Sequence, residues 1–440
     1  MTKHAWDSYA ANAMGANEFR PISITGHNTE AFGTGHTLGA FVVDSLDTLM
    51  IMGLENEAQH ALHWISDNFQ PGLVTGYVSV FEVNIRILGG LLGGYSLSDS
   101  ESNRKILIKA SIDLANRLLN AYDTEGSNLP YSLVNLHTGS KKCYDWSRNC
   151  IILSEAGSLQ LEMDYLSHIT GDRKYSDIAR NSTKALLDRF NGNNYIPISK
   201  SDRCRTHVSI GAMGDSFYEY LLKIELLSSN KDNTKRFTAF LSCLNTIEEQ
   251  TLKDSTHATY FCENNGHIDN VMGHLACFTG GMYALSSIAK ITDDPVTLVR
   301  FERLARNITW TCRQSYLLGG GIGPETFRVQ NNGKLSQSNP SYYILRPEYA
   351  ESLFYLYKLT GDTMYQDWAW DMVLQIEKRC KVKGGYASLN NVFMDDGAKD
   401  DNQHTFFIAE TLKYLYLIFE DKINLHEYVF NTEAHPFKII

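Results

Sequence analysis

Residues 167–179 read SHITGDRKYSDIA, and residues 357–369 read YKLTGDTMYQDWA. Both contain T-G-D-x-x-Y-x-D-x-A. The pattern describes a tight turn between two helices. Gly171 and Gly361 supply the left-handed stop that ends the first helix. Asp172 and Asp362 can then cap the second. The flanking sequence has apolar residues at helical spacing, as in Tyr349, Leu353, Phe354, Leu356 and Tyr357. Leu88, Leu91, Leu92 and Tyr95 follow Phe81 and Ile85 in the same way, and Leu412, Leu415 and Ile418 form a third set. Few stretches look like strands. The chain is therefore predicted to stack helical hairpins.

A second periodicity arranges those hairpins. Several helices are predicted to open on a polar, mostly acidic residue and then turn apolar. These openings are Asp44 with Asp47 in DSLDTL, Glu82 in FEVNIR, Glu155 in SEAGSLQLE and Asp215 in GDSFYEY. They continue with His274 in HLACF, Glu348 in PEYAESL and Glu410 in AETLKY. From Glu82 onward they recur every 59–74 residues, enough for one helical hairpin with its loops. An acid at a helix N-terminus is favoured by the helix dipole, so capping alone explains any one of them. Seven in series predict a ring of inner helices whose N-terminal ends converge on one acidic pocket.

The 440 residues carry 50 acids and 40 Lys or Arg, a net charge of −10. No run of five basic residues occurs, which argues against nucleic acid or an anionic membrane as partner. No apolar stretch reaches membrane-spanning length, and residues 2–4 lead directly into helix-like sequence rather than a signal peptide. The expectation is a cytosolic protein, or one whose targeting segment lies outside this chain. Sequons at Asn181 and Asn307 lean toward a secretory compartment. Gly319, Gly320, Gly321 and Gly323 run into Pro324-Glu325 and read as a loop, not as a dinucleotide fingerprint, since no predicted strand feeds them. No linker divides the chain, so residues 1–440 are predicted to be one domain.

Converging carboxylates suit two tasks. One is glycosidic hydrolysis, which needs a protonated and an ionised carboxyl group. The other is holding a hard cation through oxygen. Crowded carboxylates push one another's pKa values apart and so supply both forms. Arg86 lies four residues after Glu82, on the same helix face, where it can tune that acid; a plain surface ion pair is the alternative. Phe406 and Phe407 precede Glu410 and fit either a sugar face or the core.

At these residues the chain closely resembles glycoside hydrolase family 47, the class I α-1,2-mannosidases. The likeness runs from AWDSY at Ala5 to FNTEAHP at Pro436 through VVDSLDTLMIMGL, VSVFEVNIRILGGLLGGY, GAMGDSFYEYLLK, HLACFTGGM, LRPEYAESLFYLYKLTGD and AETLKYLYLIF. The resemblance implies an all-α (α/α)7 barrel of concentric inner and outer helices. It implies Glu82 as acid, Asp215 as a second essential carboxylate, Glu325 as a further proton-donor candidate and Glu348 as base. Thr432 matches the residue that holds Ca2+ through its hydroxyl and carbonyl oxygens. Arg86, Glu155, Glu219, His274, Arg346, Glu351, Phe406, Glu410 and Glu433 match pocket-lining positions. Where the family has an acid followed by Ser, this chain has His404-Thr405.

The implied activity is inverting, exo-acting removal of terminal α-1,2-linked mannose from high-mannose N-glycans. Inversion requires roughly 6.5–9.5 Å between the two carboxyl groups. The expected setting is the ER or Golgi lumen, or outside the cell, as a monomer. A glycan-binding quality-control lectin of the degradation-enhancing branch is the alternative reading, and an unrelated calcium-independent α/α-barrel glycosidase is a third. Cys277 and Cys312 match the family's disulfide. Cys143 and Cys150 are read as free buried thiols, with mutual pairing as the alternative.

Overall fold

The two turns that open the sequence argument form as expected. Gly171 ends the helix Gln160–Thr170 at φ 75°, and Asp172 Oδ1 accepts from the Lys174 amide at 3.1 Å. Gly361 ends Glu348–Thr360 at φ 66°, and Asp362 Oδ1 accepts from the Met364 amide at 2.9 Å. The left-handed backbone at both positions is one that only glycine adopts without strain. Asp294 starts the longest helix, Pro295–Leu318, by accepting from the Val296 and Thr297 amides, with proline at the first helical position.

The computed structural model describes residues 1–199, 202–228, 234–394 and 398–440. Inner helices run through Ala40–Ile51, Val80–Leu97, Leu153–Thr170, Asp215–Leu227, His274–Ile288, Glu348–Thr360 and Phe407–Leu417. Four of these change character along their length. The second and seventh contain π-helical turns at Val83–Leu88 and Phe407–Leu412, the fifth begins with a 3-10 turn, and the third breaks at Ser158–Leu159. The first packs on the second and closes on the seventh, and the sixth packs on the fifth and seventh.

Each inner helix is backed by an amphipathic outer helix. Six of these follow their inner partners: Glu55–Asn68, Glu101–Leu118, Lys174–Leu187, Thr238–Thr251, Pro295–Leu318 and Met364–Arg379. The seventh is the N-terminal helix Thr2–Asn12, whose buried Ala5, Trp6 and Tyr9 complete the outer layer beside the last inner helix. This is the predicted (α/α)7 barrel. Helices of the inner ring are buried nearly all round, because both faces are covered.

The strands are more numerous than the sequence suggested, but they are short. The longest, Val74–Ser79, pairs with Phe32–Gly35 and Leu133–Val134. Val271–Gly273 pairs with Thr326–Val329, which pairs with Leu335–Gln337. A further hairpin joins Tyr428–Phe430 to Pro436–Lys438. Phe430 and Phe437 are fully buried among inner-helix side chains, and Tyr165 stacks on Phe437 with ring centres 4.9 Å apart. The hairpin therefore plugs the barrel, and its turn, residues 431–435, reaches the barrel interior.

Cys277–Cys312 ties the fifth inner helix to the outer helix behind it. A second disulfide corrects the reading of the remaining cysteines. Cys150 bonds Cys204, 54 residues away, and Cys143 is free and buried. A Cys143–Cys150 bond does not form because Cys150 starts the strand Cys150–Ile152, whose pairing with Tyr195–Pro197 brings up the segment that carries Cys204.

Candidate active site

The N-terminal ends of inner helices two to seven surround a cavity of about 400 Å³. Glu82 and Arg86 enter from the second helix, Glu155 from the third, Asp215 and Glu219 from the fourth. Glu348 and Glu351 come from the sixth, Phe406 and Glu410 from the seventh. Arg346 precedes the sixth helix, and Thr432 and Glu433 arrive on the plugging turn. The helix starts place these groups where the dipoles favour anions. Asp215 and Glu348 are the first residues of their helices.

Two expected wall residues stand one layer back. His274 is buried behind Glu348 and donates from Nδ1 to Oε2 at 2.7 Å, with Nε2 2.8 Å from the Tyr316 hydroxyl. Glu325 reaches the cavity through Arg346, which grips it with Nε–Oε2 2.5 Å and Nη2–Oε1 2.7 Å. The first opening departs from the expected ring. Asp44 and Asp47 lie inside Ala40–Ile51, not at its start, and both are fully buried against His435.

Two arginines organise the charges. Arg86 donates from Nε to Glu82 at 2.6 Å and from Nη1 to Glu433 at 2.6 Å, and its guanidinium lies 5.3 Å from the Phe406 ring centre. The Glu82–Arg86 spacing is thus a part-buried contact rather than a surface pair. Arg346 holds Glu325 and stands 3.7 Å from Glu348. A third cation, Lys223, is buried beneath the floor, bonded to Glu219 and 4.0 Å from Glu351.

Proton occupancy follows from this arrangement. Burial drives the Glu348 carboxyl up, but the His274 bond and charge together with Arg346 outweigh it and hold the group below the ordinary range. Burial raises Asp215 to about 7, helped by the charges of Glu219 and Glu348 against the bond from the Ser216 amide. Burial raises Glu155 to about 8, with Glu82 adding to it. Burial pushes Glu351, Glu410 and Glu433 well above the usual carboxylate range, and like charges add to it: Glu219 and Glu348 on Glu351, Glu433 and Glu348 on Glu410, and Asp44 and Glu82 on Glu433. At neutral pH the site pairs an ionised carboxylate, Glu348, with protonated neighbours.

This chain belongs to glycosyl hydrolase family 47. The family's model matches residues 1–439. The chain is 41% identical to human mannosyl-oligosaccharide 1,2-alpha-mannosidase IB, over all of this chain and 69% of the relative. It is 40% identical to mannosyl-oligosaccharide alpha-1,2-mannosidase IA of Drosophila melanogaster, over 100% of this chain and 66% of that one. The solved alpha-1,2-mannosidase from Trichoderma reesei superposes with a TM-score of 0.86 at 28% identity, covering all of this chain and 97% of that chain. As a member of this family the chain is a glycoside hydrolase.

Two residues at the site, Trp146 and Lys223, were not anticipated from the sequence. Trp146 lines the cavity and is 48% exposed, stacked on Tyr144 at 5.2 Å and edge-on to Tyr195. It sits in the single 3-10 turn Asp145–Ser147, too short for periodicity to carry a signal. Lys223 was legible, since it follows Glu219 by one helical turn in GDSFYEYLLK. His404 stacks parallel on Phe406 at 4.9 Å. Its imidazole is pulled down to about 3 by burial and by Arg86 and Arg346, so it is neutral. Thr405 accepts from Arg86 Nη1 at 3.2 Å.

Proposed function

We propose that the chain is a calcium-dependent α-1,2-mannosidase that removes terminal mannose from high-mannose N-glycans with inversion, as one catalytic domain. The observation that carries this reading is one cavity lined by Glu82, Asp215, Glu348 and Thr432 together, with Glu348 held below the ordinary carboxylate range and Asp215 raised to about 7. The names of the relatives supply the linkage and the sugar.

The cavity fits a hard cation. The Thr432 hydroxyl and carbonyl oxygens receive no hydrogen bond from any described residue, whereas the Asn431, Ala434 and His435 carbonyls are all taken. Among the described residues no three His, Cys, Asp or Glu side chains are grouped to bind a metal directly. Thr432 would hold the ion, with water and substrate hydroxyls completing an all-oxygen shell. Bound calcium supplies a fixed positive charge for the sugar hydroxyls and offsets the crowded carboxylates of Glu351, Glu410 and Glu433.

The residues divide the work as follows. Glu348 takes the proton of the attacking water, and His274 and Arg346 keep it ionised for that task. Glu82, fixed by Arg86, protonates the leaving oxygen. The proton on Asp215 favours a second assignment, in which Asp215 is the donor. Phe406 and Trp146 offer aromatic faces to the sugar rings. Glu325 orients Arg346. Glu155, Glu219, Glu351, Glu410 and Glu433 bind sugar hydroxyls or water.

Two disulfides suit an oxidising compartment, so the ER or Golgi lumen or the exterior is the expected setting. No helix among the described residues is long and apolar enough to cross a membrane. Incubation with a high-mannose glycan, followed by product mass, tests the activity. Stepwise loss of hexose that stops on adding a chelator is the expected result. Binding without mass loss would favour the lectin, and chelator-insensitive trimming would remove calcium from the reading. Proton NMR of the first product formed separates inversion from retention.

A further inference from the structure

The turn that carries Thr432 is held by residues with no part in the chemistry above. Its last residue, His435, is fully buried between two carboxylates of the first inner helix. Nδ1 lies 2.8 Å from Asp47 Oδ2 and Nε2 lies 3.0 Å from Asp44 Oδ1. Only an imidazolium donates from both nitrogens, so the arrangement is an ionic clamp. Lys413 closes it, with Nζ 2.9 Å from Asp47 Oδ1 and 2.6 Å from the Ala434 carbonyl.

The second inner helix is shaped to receive the same turn. A Cβ on Gly89 would lie 2.6 Å from Asn431 Nδ2 and 2.8 Å from His435 Cδ2. A Cβ on Gly93 would lie 2.7 Å from Asp47 Oδ2 and 3.2 Å from His435 Cβ. Any side chain there would lift the turn or break the clamp. Asp44 has a further task. Its other oxygen, Oδ2, stands 3.9 Å from Arg86 Nη1, Asp44 also bears on the Glu433 carboxyl and helps to raise it, and Arg86 holds both Glu82 and Glu433. A continuous run of charged contacts thus joins His435 through Asp44 and Arg86 to Glu82.

We propose that His435 is a positioning residue: clamped by Asp44 and Asp47, it fixes the Thr432 turn against the first two inner helices and keeps Asp44 from drawing Arg86 away from Glu82 and Glu433. The proposal rests on the reading of Thr432 as the calcium-holding residue. Loss of the imidazolium leaves Asp44 and Asp47 short of a buried partner. Asp44 then competes for Arg86, and the turn loses its register with the floor.

The test compares His435→Gln and the milder Asp44→Asn with wild type, in the full chain. Thermal midpoints are measured in chelator and in a series of calcium chloride concentrations, together with kcat and KM. A residue that only supports the fold lowers both midpoints equally and leaves the calcium-induced rise intact. A positioning residue changes that rise. The expected result for His435→Gln is a calcium requirement raised by about 10- to 100-fold, the range for groups that orient a metal ligand. Asp44→Asn shifts the same way by less, and kcat falls in both. Should His435→Gln fail to fold, Asp44→Asn decides. Wild-type calcium dependence and wild-type kcat in a folded variant overturn the proposal. A wild-type protein with no calcium-induced rise removes the calcium reading instead. The clamp then stands or falls on whether kcat drops in Asp44→Asn.

Discussion

The two arginine clusters in the cavity use the same parts to opposite ends. Each arginine serves two carboxylates: Arg86 grips both Glu82 and Glu433 at 2.6 Å, and Arg346 grips Glu325 at 2.5 Å and stands 3.7 Å from Glu348. Beside Arg346, Glu348 stays ionised. Beside Arg86, Glu433 is pushed well above the usual range despite a contact of 2.6 Å. The difference lies in the company each carboxylate keeps. Glu348 has His274 as an additional close partner. Glu433 has Asp44 and Glu82 as like-charged neighbours. In a buried site the balance of surrounding charges decides where protons reside, not the presence of one good ion pair. One side of the pocket is thereby prepared to accept a proton and the other to share its crowding with a cation.

The largest effect should come from removing the ionised member. Glu348→Gln keeps the shape and the contact with Arg346 but cannot take a proton. A positioned general base contributes about 10²–10⁴-fold. Turnover should fall by that order while glycan binding, measured by calorimetry, persists. Unchanged turnover would exclude Glu348 as base and void the contrast between the clusters.

Asp215→Asn comes next. Asp215 is protonated below about 7, so a requirement for that proton puts a descending limb near neutral pH. The variant should lose about 10²-fold in kcat/KM and lose the limb with it. A limb that persists assigns the proton to Glu82 or Glu155.

His274→Gln tests why Glu348 is ionised. The imidazole lowers the Glu348 pKa, so its removal raises it. Activity then needs a higher pH before Glu348 is free to act, and the ascending limb of kcat/KM moves upward. A shift of one unit costs nearly tenfold only well below the wild-type limb; with Glu348 starting below the ordinary carboxylate range, the expected loss is at most about threefold at pH 5 and vanishes as pH rises. An unmoved limb would show that Arg346 alone holds Glu348 ionised.

How far the sequence reached follows the range of each interaction. The Gly171 and Gly361 stops were legible because the turn chemistry is local. So were five of the seven openings, Glu82, Glu155, Asp215, Glu348 and Glu410, because an acid near a helix start is favoured by the dipole and here also faces the pocket. Asp44 and Asp47 defeated that logic. An acid on an apolar helix reads the same whether it meets a cavity or a buried imidazolium 388 residues away. Strands of two to four residues carry too little alternation to be seen. The Cys150–Cys204 bond depends on strand pairing between distant segments. The roles given to Glu82, Glu348 and Thr432 came from resemblance to the family, not from periodicity.

The smallest effect concerns the rim. Trp146 meets the cavity as an aromatic face rather than a charge, against Tyr144 and Tyr195. Aromatic contacts of this kind are worth about 0.5–1.5 kcal/mol, or roughly 2- to 12-fold. Trp146→Ala should therefore raise KM by that factor for a branched glycan and leave kcat near wild type, because no proton or ion in the cavity depends on it. The Cys150–Cys204 bond anchors the end of the same loop. Replacing both cysteines with serine should reproduce part of the KM increase in wild type and add little once Trp146 is gone. Full additivity of the two changes would mean that the disulfide acts elsewhere, and a fall in kcat would mean that the rim is coupled to the charged floor after all.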